Sequence, residues 1–139
     1  MPRSALLALL LLTACSRWDE ARPIAYGETA CAYCHMTVLS AEHAAQLVPV
    51  SGAVQDFDEA GCLLRYAAGK PLADGDRLWV HDEATGSWID ARRAFYAVPR
   101  RPRAGMMYGV TAWAERFEAA RDSTARVLSY DEALAELGS

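Results

Sequence analysis

The sequence predicts an α+β fold made of two small units, each with the order hairpin, helix, strand. Three observations lead to this prediction. Short apolar runs are separated by turn residues, two or three segments carry helix start and stop signals, and strand-like and helix-like segments are mixed along the chain. We expect the units to cover residues 29–84 and 85–139, with a weak internal repeat between them.

The first unit is predicted to contain a hairpin, a helix and a strand. Residues 46–50 and 53–57 are strand candidates joined by a tight Ser-Gly turn, which is typical of a β-hairpin. Asp58 is a suitable N-terminal cap for a helix that ends at Gly69. Residues 77–82 then alternate apolar side chains with polar and aromatic ones, which predicts the closing strand.

The second unit follows the same order less clearly. Its predicted elements are strands at 87–90, 94–98, 108–113 and 126–130 and helices at 114–121 and 131–137. The first two strands flank the turn Ala91-Arg92-Arg93 and are expected to form the second hairpin. Phe117 and Ala120 are expected to face the core from the first of these helices.

The N-terminus has the features of a lipoprotein signal peptide. Arg3 precedes an apolar run at residues 5–12, which is too short to span a bilayer. The box Leu-Thr-Ala-Cys ends at Cys15, so we expect residues 1–14 to be removed, Cys15 to be lipidated and residues 15–28 to form a tether. An ordinary secretory signal with a free Cys15 is the alternative. Either interpretation predicts an extracytoplasmic, periplasmic protein, and the first also anchors it to a membrane.

Charge and cysteine content narrow the function classes. The formal net charge of −4 argues against a nucleic-acid binder, because such proteins are usually basic. Once Cys15 is lipidated three cysteines remain, so an oxidising compartment leaves at least one of them outside any intrachain disulfide. Either Cys31 pairs with Cys34 or with Cys62, or thiols are kept reduced for a metal. On the predicted helix, Cys62 is expected to be a small buried hydrophobe.

The most informative motif is Cys-Ala-Tyr-Cys-His-Met at residues 31–36. Thiolate and thioether donors are soft and together favour Cu(I), whereas a thioether contributes little to a zinc or iron–sulfur site. If the chain is extended here, Cys34 and Met36 point to the same side. The motif therefore predicts a Cu(I) site at Cys34 and Met36, with Cys31 or His35 as an auxiliary donor and a short strand following at 37–39.

Two other chemistries fit the same letters. The string Cys31-x-x-Cys34-His35 is the c-type haem attachment pattern. Under this interpretation His35 would be the axial iron ligand and Met106 or Met107 could be the sixth. Small c-type cytochromes are mostly helical, however, and residues 46–98 are rich in predicted strands. A thiol–disulfide oxidoreductase needs its cysteine pair between a strand and a long helix, and β-like residues follow the pair here. We therefore favour a metal-binding module with no catalytic activity.

Several motifs in sequence order resemble those of the NosL family, bacterial copper-binding lipoproteins that assist the maturation of nitrous oxide reductase. They are the lipoprotein box ending at Cys15, the motif at 31–38, Val80-His81-Asp82, the run at 88–96 and Met106-Met107-Tyr108-Gly109. The family shows Cys-x-x-Cys-Gly-Met in the first motif, where this chain has His35. It often shows Pro-Met-Gly in the last motif, where this chain has Gly105-Met106-Met107.

The resemblance implies a Cu(I) site formed by Cys34, Met36 and Met106. Met107 is an alternative donor because both methionines occupy the place of the family methionine, and a core role for the pair beside Tyr108 is a further interpretation. The resemblance also implies a copper chaperone whose partners are a copper-accepting apo-enzyme and its assembly transporter. Nitrous oxide reductase is the acceptor that the family suggests, and a cytochrome oxidase copper site is equally compatible with the residues.

Overall fold

A computed structural model describes residues 19–101 and 108–139. In these residues the strands and helices are β1 (Ala45–Val48), β2 (Gln55–Phe57), α1 (Ala60–Gly69), β3 (Arg77–His81), β4 (Trp88–Asp90), β5 (Phe95–Pro99), β6 (Thr111–Trp113), α2 (Arg116–Ala119), β7 (Ala125–Leu128) and α3 (Tyr130–Leu137). Helices are mixed with two antiparallel sheets, which confirms the predicted α+β class. None of the helices described is both long and apolar enough to cross a membrane.

The first sheet has the strand order β2-β1-β3-β4. The predicted hairpin and closing strand of the first unit are confirmed, because β1 pairs antiparallel with both β2 and β3. All four residues of β1 are buried, including Gln46. The Gln46 amide is satisfied there: its oxygen accepts from Arg22 N at 2.6 Å and its nitrogen donates to Asp56 Oδ1 at 2.7 Å. These bonds fasten the N-terminal segment to the outer face of the sheet.

Helix α1 packs its apolar face against the first sheet. Its buried side chains include Leu63, Leu64 and Ala67, as the sequence predicts, and the helix ends at Gly69. The N-terminal cap is Glu59 rather than Asp58, and no side chain caps the helix. The Glu59 carboxylate is engaged elsewhere: it is buried and accepts from the backbone N–H groups of Tyr108 and Gly109 at 2.6 and 3.2 Å.

The second sheet has the order β6-β5-β7, and its pairing differs from the predicted one. Strand β4 does not pair with β5; it adds to the first sheet, with Trp88 opposite His81 and Ile89 opposite Val80. Asp90 Oδ1 accepts from Arg92 N at 2.9 Å, which forms a turn that carries the chain away to the second sheet. The hairpin of the second unit is therefore β5–β6.

The connectivity of the two sheets is the same. In each, a hairpin is followed by a helix and by a strand that pairs with the first strand of the hairpin, giving β2-β1-β3 and β6-β5-β7. A sequence repeat and a unit boundary after residue 84 stay predictions.

Two local predictions are wrong. The strand expected at 37–39 is reduced to an isolated bridge between Ala30 and Thr37. Helix α2 spans only one turn, and Phe117 is 62% exposed on it, whereas Ala119 is buried. A helix this short has room for one inward position, and the small Ala119 side chain lets the chain approach the second sheet closely.

One core unites the two sheets. Buried residues of the first sheet and of α1 form a single cluster with Tyr96, Val110 and Ala112 of the second half. The buried Asp82 crosses the junction, because its Oδ1 accepts from Ala114 N at 3.0 Å. The start of α1 is likewise joined to the chain that enters β6, through the hydrogen bonds from Tyr108 N and Gly109 N to Glu59.

Candidate metal centre

The loop that carries the first two cysteines is closed by backbone hydrogen bonds. Cys31 N donates to Met36 O at 2.7 Å, and His35 N donates to Cys31 O at 3.0 Å. The turn between these bonds contains Cys34. His35 closes the turn with φ +65°, and among the described residues it has the one positive φ that does not belong to glycine. A left-handed residue here explains why a glycine suits this position.

A third cysteine joins these two from helix α1. Cys62 is the third residue of the helix, and it is buried. The sulfur atoms of Cys31, Cys34 and Cys62 all lie within 4.8 Å of one another, and the three thiols are free. Three thiolates at such spacing are an arrangement that can hold one soft metal ion with little movement.

Hydrogen bonds inside the cluster separate the acidities of the thiols. The bond from the Cys62 thiol, with smaller contributions from backbone N–H groups, lowers the pKa of Cys31 to about 4, although burial opposes this shift. The same bond to Cys31, together with burial, raises the pKa of Cys62. Burial raises the pKa of Cys34. These shifts favour Cys31 as the thiolate of the metal-free cluster, and a bound cation would replace the donors that stabilise it.

The position of Cys62 suits an anionic site. In the first turn of a helix the free N–H groups and the helix dipole favour negative charge. Three thiolates and one Cu(I) would carry a net charge of −2, so the partial positive charge of the helix start is a stabilising contribution.

Met36 lies beside the cluster in sequence and is 39% exposed, and His35 is exposed as well.

The family assignment follows from comparison with known proteins. The sequence model of the NosL family matches residues 24–132, which is most of the chain. This chain belongs to the NosL family.

A solved structure shares the fold of this NosL-family chain. It is the crystal structure of the copper chaperone NosL from Shewanella denitrificans, with a TM-score of 0.66 and 18% sequence identity. The match covers 82% of this chain and 95% of the other. At this identity the likeness establishes the fold alone. No curated protein matches the chain.

The structure brings only some of the predicted site residues of this NosL-family chain together. Cys31 and Cys34 are in one cluster, and the backbone of Met36 closes their loop. The predicted donors Met106 and Met107 and the predicted lipidation site Cys15 lie outside the described residues. Metal binding by Met106 or Met107 and lipidation of Cys15 stay predictions.

Cys62 is the site residue that the sequence reasoning missed. Its predicted burial is confirmed, and its sulfur also lies within 4.8 Å of the other two, a proximity that the sequence analysis considered only as a Cys31–Cys62 disulfide. The signal available in the sequence was the odd number of cysteines in the mature chain. It pointed to an unpaired thiol without saying where that thiol lies.

Proposed function

We propose that this protein binds one Cu(I) ion and delivers it to a copper-accepting protein. The observation that carries the proposal is the convergence of three free thiols in a NosL-family chain. Thiolates are soft ligands that favour Cu(I), and Cu(I) is stable with few of them. The structural neighbour from Shewanella denitrificans is a copper chaperone, which agrees with this role. Holding and passing on an ion requires no catalytic step.

The proposed ligand set is centred on the sulfurs of Cys31, Cys34 and Cys62. Met36 follows Cys34 closely and is exposed enough to meet a second protein. We propose it as an auxiliary donor that a departing or arriving ion can use. His35, Met106 and Met107 remain proposed donors on the strength of the motif and the family resemblance.

The metal interpretation is better supported than haem attachment. A c-type haem needs both cysteine sulfurs directed at a large planar group. Here the Cys31 side chain is only 1% exposed, and its sulfur accepts a hydrogen bond from Cys62 inside the core. A haem edge would have to displace helix α1 to reach it. The loop that holds the pair leads into no long helix, unlike the oxidoreductase arrangement.

We further propose that the protein works outside the cytoplasm, anchored by lipid at Cys15. The acceptor suggested by the family resemblance is nitrous oxide reductase, and an assembly transporter is a second partner. The support for this localisation is the signal sequence and the lipoprotein box alone.

An anaerobic Cu(I) titration of the reduced mature protein without lipid tests the proposal. In competition with a chromophoric Cu(I) chelator we expect one tightly bound ion and a sulfur-dominated X-ray absorption signature. Protein made in a haem-attaching strain should be colourless. Failure to compete with the chelator would exclude the copper role, and a Soret band that survives acid–acetone extraction would establish the cytochrome instead.

A further inference from the structure

Among the residues that the structure describes, Cys34 is the member of the three-cysteine cluster that solvent reaches. Cys31 is 1% exposed and Cys62 is 2% exposed, so the core encloses both. Cys34 is half-buried and lies in a turn, and Met36 beside it is 39% exposed. Two ligands are therefore fixed by a hydrogen-bonded loop and a helix, and the third lies in a turn facing solvent. We call Cys34 and Met36 the exchange face.

Tyr108 covers the helix turn that carries Cys62. A Cβ built on Gly61 would lie 2.9 Å from both Cβ and Cδ2 of Tyr108, so this side chain rests directly on the helix turn that carries Cys62. The guanidinium of Arg65 stacks on the ring, 4.6 Å from its centroid. Burial raises the pKa of the Tyr108 phenol, with smaller contributions from its neighbours Tyr33 and Cys62. An aromatic wall thus links the Cys-x-x-Cys loop to the start of α1.

A buried carboxylate holds this wall in place. Glu59 is 2% exposed, and its two oxygens accept from the backbone N–H groups of Tyr108 and Gly109. Hydrogen bonds to a charged acceptor in the interior are stronger than neutral ones, and breaking them leaves a buried charge without partners. Gly61 contributes by having no side chain, since any Cβ there would displace the ring. Both features fix the backbone and the ring of Tyr108 over the cluster.

From this geometry we infer that copper enters and leaves through the exchange face, by displacement of Cys34. An acceptor's soft donor, a thiolate or thioether, forms a bond to Cu(I) as the bond between Cu(I) and Cys34 Sγ breaks. The Cys34 thiolate then takes a proton from solvent, and the ion stays Cu(I) throughout. Cys31 and Cys62 release the ion last. Tyr108 is a positioning residue that covers Cys62, and this inference rests on the proposed copper function.

Thiol alkylation of the reduced, metal-free protein tests the one-sided geometry without copper. Neutral iodoacetamide followed by peptide mapping should modify Cys34 at least about tenfold faster than Cys31 or Cys62, because the core encloses both of those sulfurs and outweighs the low pKa of Cys31. Tyr108→Ala should raise the rate at Cys62 by about tenfold, whereas Tyr108→Phe, which keeps the ring, should leave it within about twofold. Equal rates at Cys34 and Cys62 in the parent protein, or continued protection of Cys62 in Tyr108→Ala, would overturn the inference.

Copper release into excess of a bulky anionic chelator then tests the exchange route. Tyr108→Ala removes no metal-bonded atom, so Cu(I) affinity should change by less than about threefold while release becomes about tenfold faster. Gly61→Ala, which displaces the ring from the other side, should act in the same direction, and it serves alone if Tyr108→Ala does not fold. A parent protein that binds no Cu(I) contradicts the proposed function but leaves the alkylation result standing. Binding with release at the parental rate in both variants refutes the one-sided exchange.

Discussion

Substitution of Cys62 distinguishes the structural site from the one that the sequence alone predicts. The sequence predicts that Cys62→Ser leaves Cu(I) affinity nearly intact, because the residue is expected to belong to the core. The structure places its sulfur within 4.8 Å of two other thiols, so the same change should remove a metal bond. Four-ligand structural zinc sites bind with apparent free energies of about 10–16 kcal/mol, or roughly 3 kcal/mol per ligand. At 1.4 kcal/mol per tenfold, the expected loss of affinity is about a hundredfold.

The assay is an anaerobic chelator competition with a matched control. Ala60→Ser introduces the same hydroxyl at a buried position of the same helical turn and leaves all three sulfurs in place. It should cost stability but keep the affinity within about threefold, whereas Cys62→Ser and Cys34→Ser should weaken binding to similar extents. Melting temperatures of the metal-free variants separate loss of folding from loss of binding. A Cys62→Ser protein with parental affinity, beside a severely weakened Cys34→Ser protein, would refute the three-thiol site.

Three further outcomes are expected. In the reduced metal-free protein, the thiolate absorption of Cys31 should persist down to about pH 4. The stability that this thiolate contributes should be complete above the ordinary thiol pKa of 9.0 and should be lost as the pH falls through about 4. In Cys62→Ala the Cys31 titration should move to higher pH, and an unchanged titration would contradict the hydrogen bond between Cys62 and Cys31. His35→Gly should raise the free energy of unfolding by about 0.5–1 kcal/mol, because it relieves the positive φ, and denaturant titration showing a clear loss would contradict that reasoning. Met106→Leu should keep the fold, at a cost under about 1.5 kcal/mol in stability, because leucine and methionine are close in volume. It should nevertheless lose much of the rise in melting temperature that Cu(I) causes in the parent protein, and Met107→Leu should lose less of it. A full Cu(I)-dependent rise in both variants would mean that the methionine pair is not part of the site.

Local sequence patterns predicted the strands and helices whose formation depends on neighbouring residues. The first hairpin, the helix ending at Gly69 and the strand at 77–81 are confirmed because turn residues, capping signals and alternation act over short distances. The family motif at 31–38 could also be recognised from the sequence, because its soft donors Cys34 and Met36 lie only two residues apart. For the same reason the α+β class could be predicted before any contact was known.

Long-range contacts decided the features that the sequence alone did not reveal. Strand β4 pairs with β3 in the first sheet, where Trp88 lies opposite His81. The alternation of side chains along a strand predicts the strand but does not say which of two sheets it joins. Phe117 faces solvent because α2 ends after one turn against the second sheet.

The candidate metal site shows the same division. The sequence by itself determined the chemistry of the site: soft donors in a Cys-x-x-Cys-His-Met loop and an odd number of cysteines in the mature chain. Only the tertiary structure decided that Cys62 completes the cluster, because a helical sulfur is buried equally well in an inert core and beside two other thiols. The difference depends on where α1 begins relative to the loop at 31–36. That position is fixed by bonds spanning about fifty positions along the chain, from the Glu59 carboxylate to the backbone of Tyr108 and Gly109.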